Sequence, residues 1–208
     1  MSRPVVHQAA SLLLGYPGRT WTDRLHTVRT ALEPVPGPEV GHLLRFCAEV
    51  ADTAPLALAA QYVATFDRSG RRCLYLTYYT DGDTRRRGAS LARIKSLYRE
   101  QSWLVPEDEL PDHLPLMLEF AARSPEAGVP LLCEYRPALE LLRYALEAHH
   151  SPYTGVVEAV CRTLPGPRPA GRDAALGLAR TGPPVELVGL QPYPPHTPHP
   201  PHGEEPTR

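Results

Sequence analysis

Apolar residues recur at spacings of three and four along most of the chain between Val5 and Leu164, and most prolines and glycines fall between these stripes or at their ends. That period belongs to an α-helix with one buried face. Val5, Ala9, Leu12 and Leu13 make a first stripe, stopped by Gly15 and Pro17. Leu25, Val28 and Leu32 make a second. After the breaker run Pro34-Val35-Pro36-Gly37-Pro38 comes a third: Val40, Leu43, Leu44, Cys47 and Val50. Pro55 suits the first turn of a fourth helix bearing Leu56, Ala59, Val63 and Phe66. The run Cys73 to Tyr79 holds residues that favour strand, but no partner strand is visible elsewhere, so it reads as helix. Asp83 or Thr84 starts a helix that runs to about Gln101. Asp112 reads as the N-cap of a helix carrying Leu114, Met117, Leu118 and Ala121, with Pro115 in its first turn. Leu139, Leu142 and Leu146 follow Pro137, and Ser151-Pro152 opens a last stripe of Val156, Val160 and Leu164. The pattern predicts an all-α, single-domain bundle of about eight or nine helices over residues 1–164.

Residues 165–208 differ in character. Twelve of the chain's 25 prolines lie there with few large apolar residues, so the segment reads as a disordered Pro/His-rich tail. Within it, Val185 to Leu190 could form a short docking element. His196, His199 and His202 form a ladder too loose to hold a selective metal site. The net charge of −1 provides no global field that would select nucleic acid or an anionic membrane. No apolar stretch is long enough to span a bilayer, and no secretory signal is evident, which predicts a cytoplasmic protein. Cys47, Cys73, Cys133 and Cys161 lie at no zinc-ligand or redox spacing and read as reduced, mostly buried thiols.

The chemistry concentrates between Thr65 and Ala122. An aromatic run, Tyr75, Tyr78 and Tyr79, leads into the turn Asp81-Gly82-Asp83, then Thr84 and the triple arginine Arg85, Arg86 and Arg87. From Glu100 to Ala122 there is no lysine or arginine, and this acidic stretch contains Pro111-Asp112-His113. Taken together and in this order, the Tyr-Tyr, Gly-Asp-Thr-Arg and Pro-Asp-His strings resemble the cytoplasmic assembly chaperones of respiratory molybdenum enzymes, in particular the nitrate reductase delta-subunit type among the redox enzyme maturation chaperones. The likeness is close over residues 62–98 and 109–122, looser from about residue 10 to about 164, and absent beyond.

That resemblance implies a helical, non-catalytic chaperone that binds an unfolded partner. It would bind the N-terminal peptide of a nitrate reductase catalytic (alpha) subunit and hold the apoenzyme open while a bis-pterin guanine dinucleotide molybdenum cofactor enters the client. It would also delay membrane docking and retain no cofactor itself. Physically, an amphipathic basic peptide calls for an apolar groove with an acidic rim. The candidates for that groove are Tyr62, Phe66, Tyr75, Tyr78, Tyr79, Leu114 and Leu118, with Glu109, Asp112 and Glu119 on the rim and His113 beside it. In the family, Pro-Asp-His lies on the face tied to peptide recognition; helix capping alone would also account for Asp112. Arg85, Arg86, Arg87 and Lys95 are candidates for contact with cofactor phosphates or with a cofactor-biosynthesis protein; a solvated helix face, partly paired with acidic neighbours, explains them better. Two other classes stand beside this one: a nucleotide-hydrolysing enzyme using Asp112 and His113, and an Arg-rich nucleic-acid adaptor. No phosphate-binding glycine loop, nucleophile elbow or nucleic-acid module pattern accompanies either.

Overall fold

The computed structural model of the chain describes residues 3–181. These form eleven α-helices: α1 (Arg3–Leu14), α2 (Trp21–Leu32), α3 (Pro38–Val50), α4 (Pro55–Phe66), α5 (Thr77–Asp81), α6 (Arg85–Glu100), α7 (Leu114–Arg123), α8 (Pro125–Glu134), α9 (Arg136–Ala148), α10 (Thr154–Thr163) and α11 (Arg172–Thr181). The all-α architecture agrees with the periodicity, and the number of helices exceeds the predicted eight or nine. Helices α3, α4, α7, α8 and α9 each carry a proline in the first turn, where its missing N–H costs no helical bond. Gly37 precedes α3 at φ +145°, and Gly82 ends α5 at φ +61°; both conformations suit glycine.

One continuous core runs through the bundle. Helix α1 lies across α7 and also packs on α10, which in turn packs on α3 and α9. Side-chain bonds pin α1 in place. Ser11 Oγ donates to the Pro115 carbonyl (2.7 Å), and His7 Nε2 meets Thr163 Oγ1 (2.7 Å). An aromatic cluster joins α3, α4 and the start of α10: Tyr153 meets Phe46 and Phe66, each at 4.9 Å between ring centroids, and Tyr62 meets Phe66 at 4.8 Å.

Three expectations need correction here. The run from Cys73 to Leu76 is not helical. Tyr75 forms an isolated antiparallel bridge with His113, so its strand preference is met by a loop instead of a strand; helix begins only at Thr77. Helix α8 has no counterpart in the predicted stripes, because Pro130 interrupts its middle. The boundary placed at Leu164 is also too early. Ala175 and Ala179 of α11 are buried against Leu141 of α9, with Tyr79 and Leu176 packed alongside. The loop leading to α11 is tied down by Arg168, which donates to Glu140 (Nε to Oε1, 2.7 Å) and to Glu158 (Nη2 to Oε2, 2.8 Å). The rest of the expected tail, with Val185 to Leu190 and His196, His199 and His202, lies outside the described residues.

This corrected boundary makes a testable difference. Truncation after Leu164 should cost at least about 2 kcal/mol more than truncation after Thr181. It uncovers Leu141 and removes one of the two arginines that compensate Glu140, whose exposure is 1%. Urea denaturation of the two shortened proteins checks it; equal midpoints would mean that α11 adds nothing to the fold.

Candidate functional site

The Tyr-Tyr, Gly-Asp-Thr-Arg and Pro-Asp-His strings converge on one hydrogen-bonded knot. Asp112 does not cap its own helix. Residue 113 is the N-cap of α7, without a side-chain cap bond, and the Asp112 carboxylate reaches a segment 35 residues earlier. Its Oδ2 accepts from the Thr77 backbone N–H (3.1 Å) and the Thr77 hydroxyl (2.5 Å). Asp112 therefore caps α5 from across the fold, satisfying a first-turn N–H that the helix itself cannot. The main chain holds the same register: Leu76 N–H donates to the Asp112 carbonyl (3.1 Å) and Leu114 N–H to the Leu74 carbonyl (2.8 Å). Tyr98 of α6, buried in the core, donates its hydroxyl to the Pro111 carbonyl (2.8 Å).

This knot also divides the triple arginine. Arg87 turns inward, donating Nε to Thr77 Oγ1 (3.1 Å) and approaching Asp112 Oδ2 at 3.9 Å. Arg85, Arg86 and Lys95 stay exposed on α6. Asp112 itself is 0% exposed, so it is a strut under the surface and not part of an acidic rim.

Four of the expected groove residues are also inside. Tyr62, Phe66, Leu114 and Leu118 belong to the core, and the Tyr62 hydroxyl is used on the Leu14 carbonyl (2.9 Å). Their helical spacing marks the buried face, which an alternation of apolar and polar residues alone cannot distinguish from a groove wall. Tyr79 is half-buried, its hydroxyl donating to the Cys73 carbonyl (3.0 Å), and Tyr78 is exposed. Glu119 is half-buried and paired with Arg123 (3.2 Å), one helical turn on.

Tyr75, His113 and Glu109 remain together at the surface. The Tyr75 and His113 rings stack at 5.1 Å with 27° between planes. Glu109 Oε2 lies 2.9 Å from His113 Nδ1, and Oε1 accepts from the Tyr75 hydroxyl (3.3 Å) and the Leu110 N–H (2.9 Å). A carboxylate only accepts, so Nδ1 carries the proton. The carboxylates of Glu109 and Asp112 pull His113 towards its charged form. Burial outweighs the pull of Glu109 and Asp112 and sets its pKa below the ordinary histidine value. Burial, with Glu109 adding to it, pushes the Tyr75 phenol up to about 12.

Beside this trio runs a strap between α6 and α7. Trp103 and Val105 pack on the core at one end, and Pro111 and Asp112 are clamped at the other. Between these anchors, Leu104 is 88% exposed and Leu110 41%, with Glu107 and Asp108 also exposed. Two outward leucines bracket three successive carboxylates in the sequence of the strap, which has no lysine or arginine, and the last of the three, Glu109, meets the stacked Tyr–His pair. The acidic run was legible in the sequence; the exposure of Leu104 and Leu110 was not, because both resemble core leucines. Asp112 and His113 are bound to different partners, Thr77 and Glu109, and form no acid–base pair aimed at one atom.

The cysteines lie away from this surface chemistry or beneath it. Cys47 and Cys161 are buried, and Cys73 and Cys133 are half-buried. Burial raises the thiol pKa of Cys47 to about 11 and raises those of Cys73 and Cys161, which makes poor thiolate ligands or nucleophiles. Among the described residues, no helix is long and apolar enough to cross a membrane.

The chain resembles known proteins in sequence and in fold. The model of the nitrate reductase delta subunit family matches residues 35–158. Nitrate reductase-like protein NarX of Mycobacterium tuberculosis is 44% identical over 160 residues, covering 76% of this chain; the chain spans only 24% of that relative's length. The Bacillus subtilis protein "Probable nitrate reductase molybdenum cofactor assembly chaperone NarJ" is 34% identical over 164 residues, covering 78% of this chain and 89% of the relative. The Escherichia coli K12 nitrate reductase molybdenum cofactor assembly chaperone NarJ is 31% identical over 147 residues, covering 69% of this chain and 62% of the relative. A crystal structure of a candidate redox enzyme maturation protein from Archaeoglobus fulgidus superposes with a TM-score of 0.60. It covers 77% of this chain and 92% of its own at 23% identity, a likeness of fold.

Proposed function

The chain belongs to the nitrate reductase delta subunit family, and from that premise we propose that it is an assembly chaperone for a respiratory nitrate reductase, not an enzyme. It acts in the cytoplasm on the catalytic subunit before that subunit docks at the membrane. It binds the subunit's N-terminal segment and holds the apoprotein receptive while the bis-pterin molybdenum cofactor is inserted into the client. The chaperone then leaves, because the packed, mature client no longer offers the segment it prefers.

The observation that best supports a peptide-binding role is the strap with its neighbours: Leu104 and Leu110 exposed among Glu107, Asp108 and Glu109, next to Tyr75 and His113. An amphipathic basic segment has the complementary chemistry. Its apolar face covers the leucines and the Tyr75 ring, and its cations meet the carboxylates. Since Asp112 lies beneath this surface, it supports the site without touching the peptide.

Surface kinetics with a synthetic peptide of the client's N-terminus test the reading. Tyr75→Ala should raise the off-rate roughly tenfold, as loss of an aromatic anchor does. Glu107→Gln with Asp108→Asn should lower the on-rate roughly tenfold at low salt and flatten its salt dependence. With the His113 pKa below its ordinary value, His113 stays neutral near pH 7 and binding should be flat there. Binding should weaken only on the acid side of the usual histidine range, when His113 takes up a proton beside Glu109. Binding that ignores these substitutions and the salt concentration would exclude this surface as the peptide site.

A further inference from the structure

On another side of α5, the described residues enclose a second cleft of about 700 Å³. It lies between the 3₁₀ turn Gly70–Arg72, α5, α9 and α11. Arg71, Arg72, Arg172, Arg180 and His149 line it, and no carboxylate does. In a chain whose net charge is −1, four arginines around one cleft without an acid is a local imbalance. Arg72 is used structurally, donating Nε to the Thr65 carbonyl (2.9 Å). Among the described residues, the side chains of Arg71, Arg172 and Arg180 have no hydrogen-bond or ion-pair partner. Six other arginines, Arg87, Arg93, Arg123, Arg143, Arg162 and Arg168, each meet a carboxylate, so the cleft gathers several of those that do not.

Aromatic rings complete the cleft. Tyr78 and Tyr144 line it. A Cβ on Gly70 would lie 2.9 Å from the Tyr78 hydroxyl and 3.1 Å from its ring, so the outer end of the Tyr78 ring rests directly on the Gly70 backbone. Tyr79 meets it edge-on at 6.4 Å.

We propose that this cleft is a binding site for a nucleotide: Arg71, Arg172 and Arg180 hold its phosphates, and Tyr78 packs against its ring. Guanidinium forks match phosphate oxygens in pairs, and three cations without counter-charges are electrostatically completed by a di- or triphosphate. The volume is that of a small-ligand site, and an aromatic face accepts any base by stacking. An acidic peptide would satisfy the arginines but would leave the ring and the enclosed shape without a role. Since no nucleophile or general base lines the cleft apart from His149, binding and not hydrolysis is the inferred activity. The site is separate from the strap and needs no client.

Isothermal titration of the full-length chain with ATP, GTP, sodium pyrophosphate and guanosine tests this. The expected result is saturable triphosphate binding in the micromolar range, competed by pyrophosphate and weakened by salt. The combined Arg71→Gln, Arg172→Gln and Arg180→Gln variant should lose at least roughly 100-fold in affinity, since each charged bond is worth about tenfold or more. Tyr78→Ala should weaken the nucleotides several-fold and leave pyrophosphate unchanged. Arg19→Gln with Arg29→Gln, two exposed arginines that line no part of the cleft, should change nothing. No saturable heat up to about 1 mM triphosphate would overturn the proposal. So would undiminished binding by the triple variant, loss of binding in the Arg19/Arg29 variant, or pyrophosphate binding as tightly as the nucleotides.

Discussion

Gly128→Ala should lower the stability of the protein by about 3 kcal/mol and its melting temperature by roughly 10 °C. Gly128 is buried in α8, where that helix crosses α7. A Cβ there would lie 2.3 Å from Ala121 Cα, 2.8 Å from its nitrogen and 2.8 Å from its Cβ. The obstacle is main chain, which no rotamer change can clear. Relief requires α7 to move, and α7 carries Leu114, Met117 and Leu118 in the core and follows directly from the Asp112 knot. Alanine's better helix propensity returns only about 1 kcal/mol, so the clash dominates. The same replacement at Gly88, in the exposed part of α6, meets nothing within 4 Å and should stabilise by up to about 1 kcal/mol. Denaturation of both variants would read opposite signs from one chemical change. If Gly128→Ala matches the parent protein, the tight approach of α7 and α8 is wrong.

Acidification from neutral pH to pH 4 should cost the fold roughly 3 kcal/mol through His7 alone, taking about 1.4 kcal/mol per pH unit. Thr163 Oγ1 donates to the Val160 carbonyl (2.7 Å), so it accepts from His7 Nε2–H, and the ring is held neutral. Burial, with Arg3 nearby adding to it, lowers the His7 pKa to about 4 from 6.5. Above pH 6.5 the residue is neutral in both states and the stability is fully present. Between 6.5 and about 4 the unfolded chain takes up a proton that the folded chain refuses, so stability falls. Below about 4 both are charged and the loss levels off. His7→Gln keeps an amide donor for Thr163 and should flatten this part of the pH dependence. His42 and His113, also lowered mainly by burial, leave a residual slope of the same sign. Urea midpoints of parent and variant at pH 7, 5.5 and 4.5 isolate the His7 share. Parallel curves would mean that the ring is hydrated, not buried.

How legible this fold was depended on whether the governing interactions were local. Prolines in the first turns of α3, α4, α7 and α9 marked those helix starts, because proline's fixed φ acts on its own residue. Helix α8 was hidden by Pro130. Helix α11 was hidden by the proline-rich sequence around it, although Ala175 and Ala179 give it a small buried face. The three signature strings could be seen as a set, but not their junction. Asp112 has every local feature of a helix cap and spends its carboxylate on Thr77. Similarly, Tyr62, Phe66, Leu114 and Leu118 have the composition of a binding groove, and only the packing of α1, α4, α7 and α10 puts them inside. Glu109 and His113 do lie together, whereas the direction of the His113 shift depends on burial, which a sequence does not state.

The placement of α1 has a consequence for how the chain is made. Its inner face is completed by α7 and α10, and the His7–Thr163 bond closes over 156 residues. At about 5–20 residues per second, a ribosome needs on the order of 10–30 s after making α1 before α10 emerges. For that interval Val6, Ala10, Leu13 and Leu14 lack part of their native cover, even after α2 and then α7 have emerged. Helix α1 is thus made well before it can be fully buried, and a protein of this architecture is itself, briefly, a nascent chain with an apolar helix in need of protection.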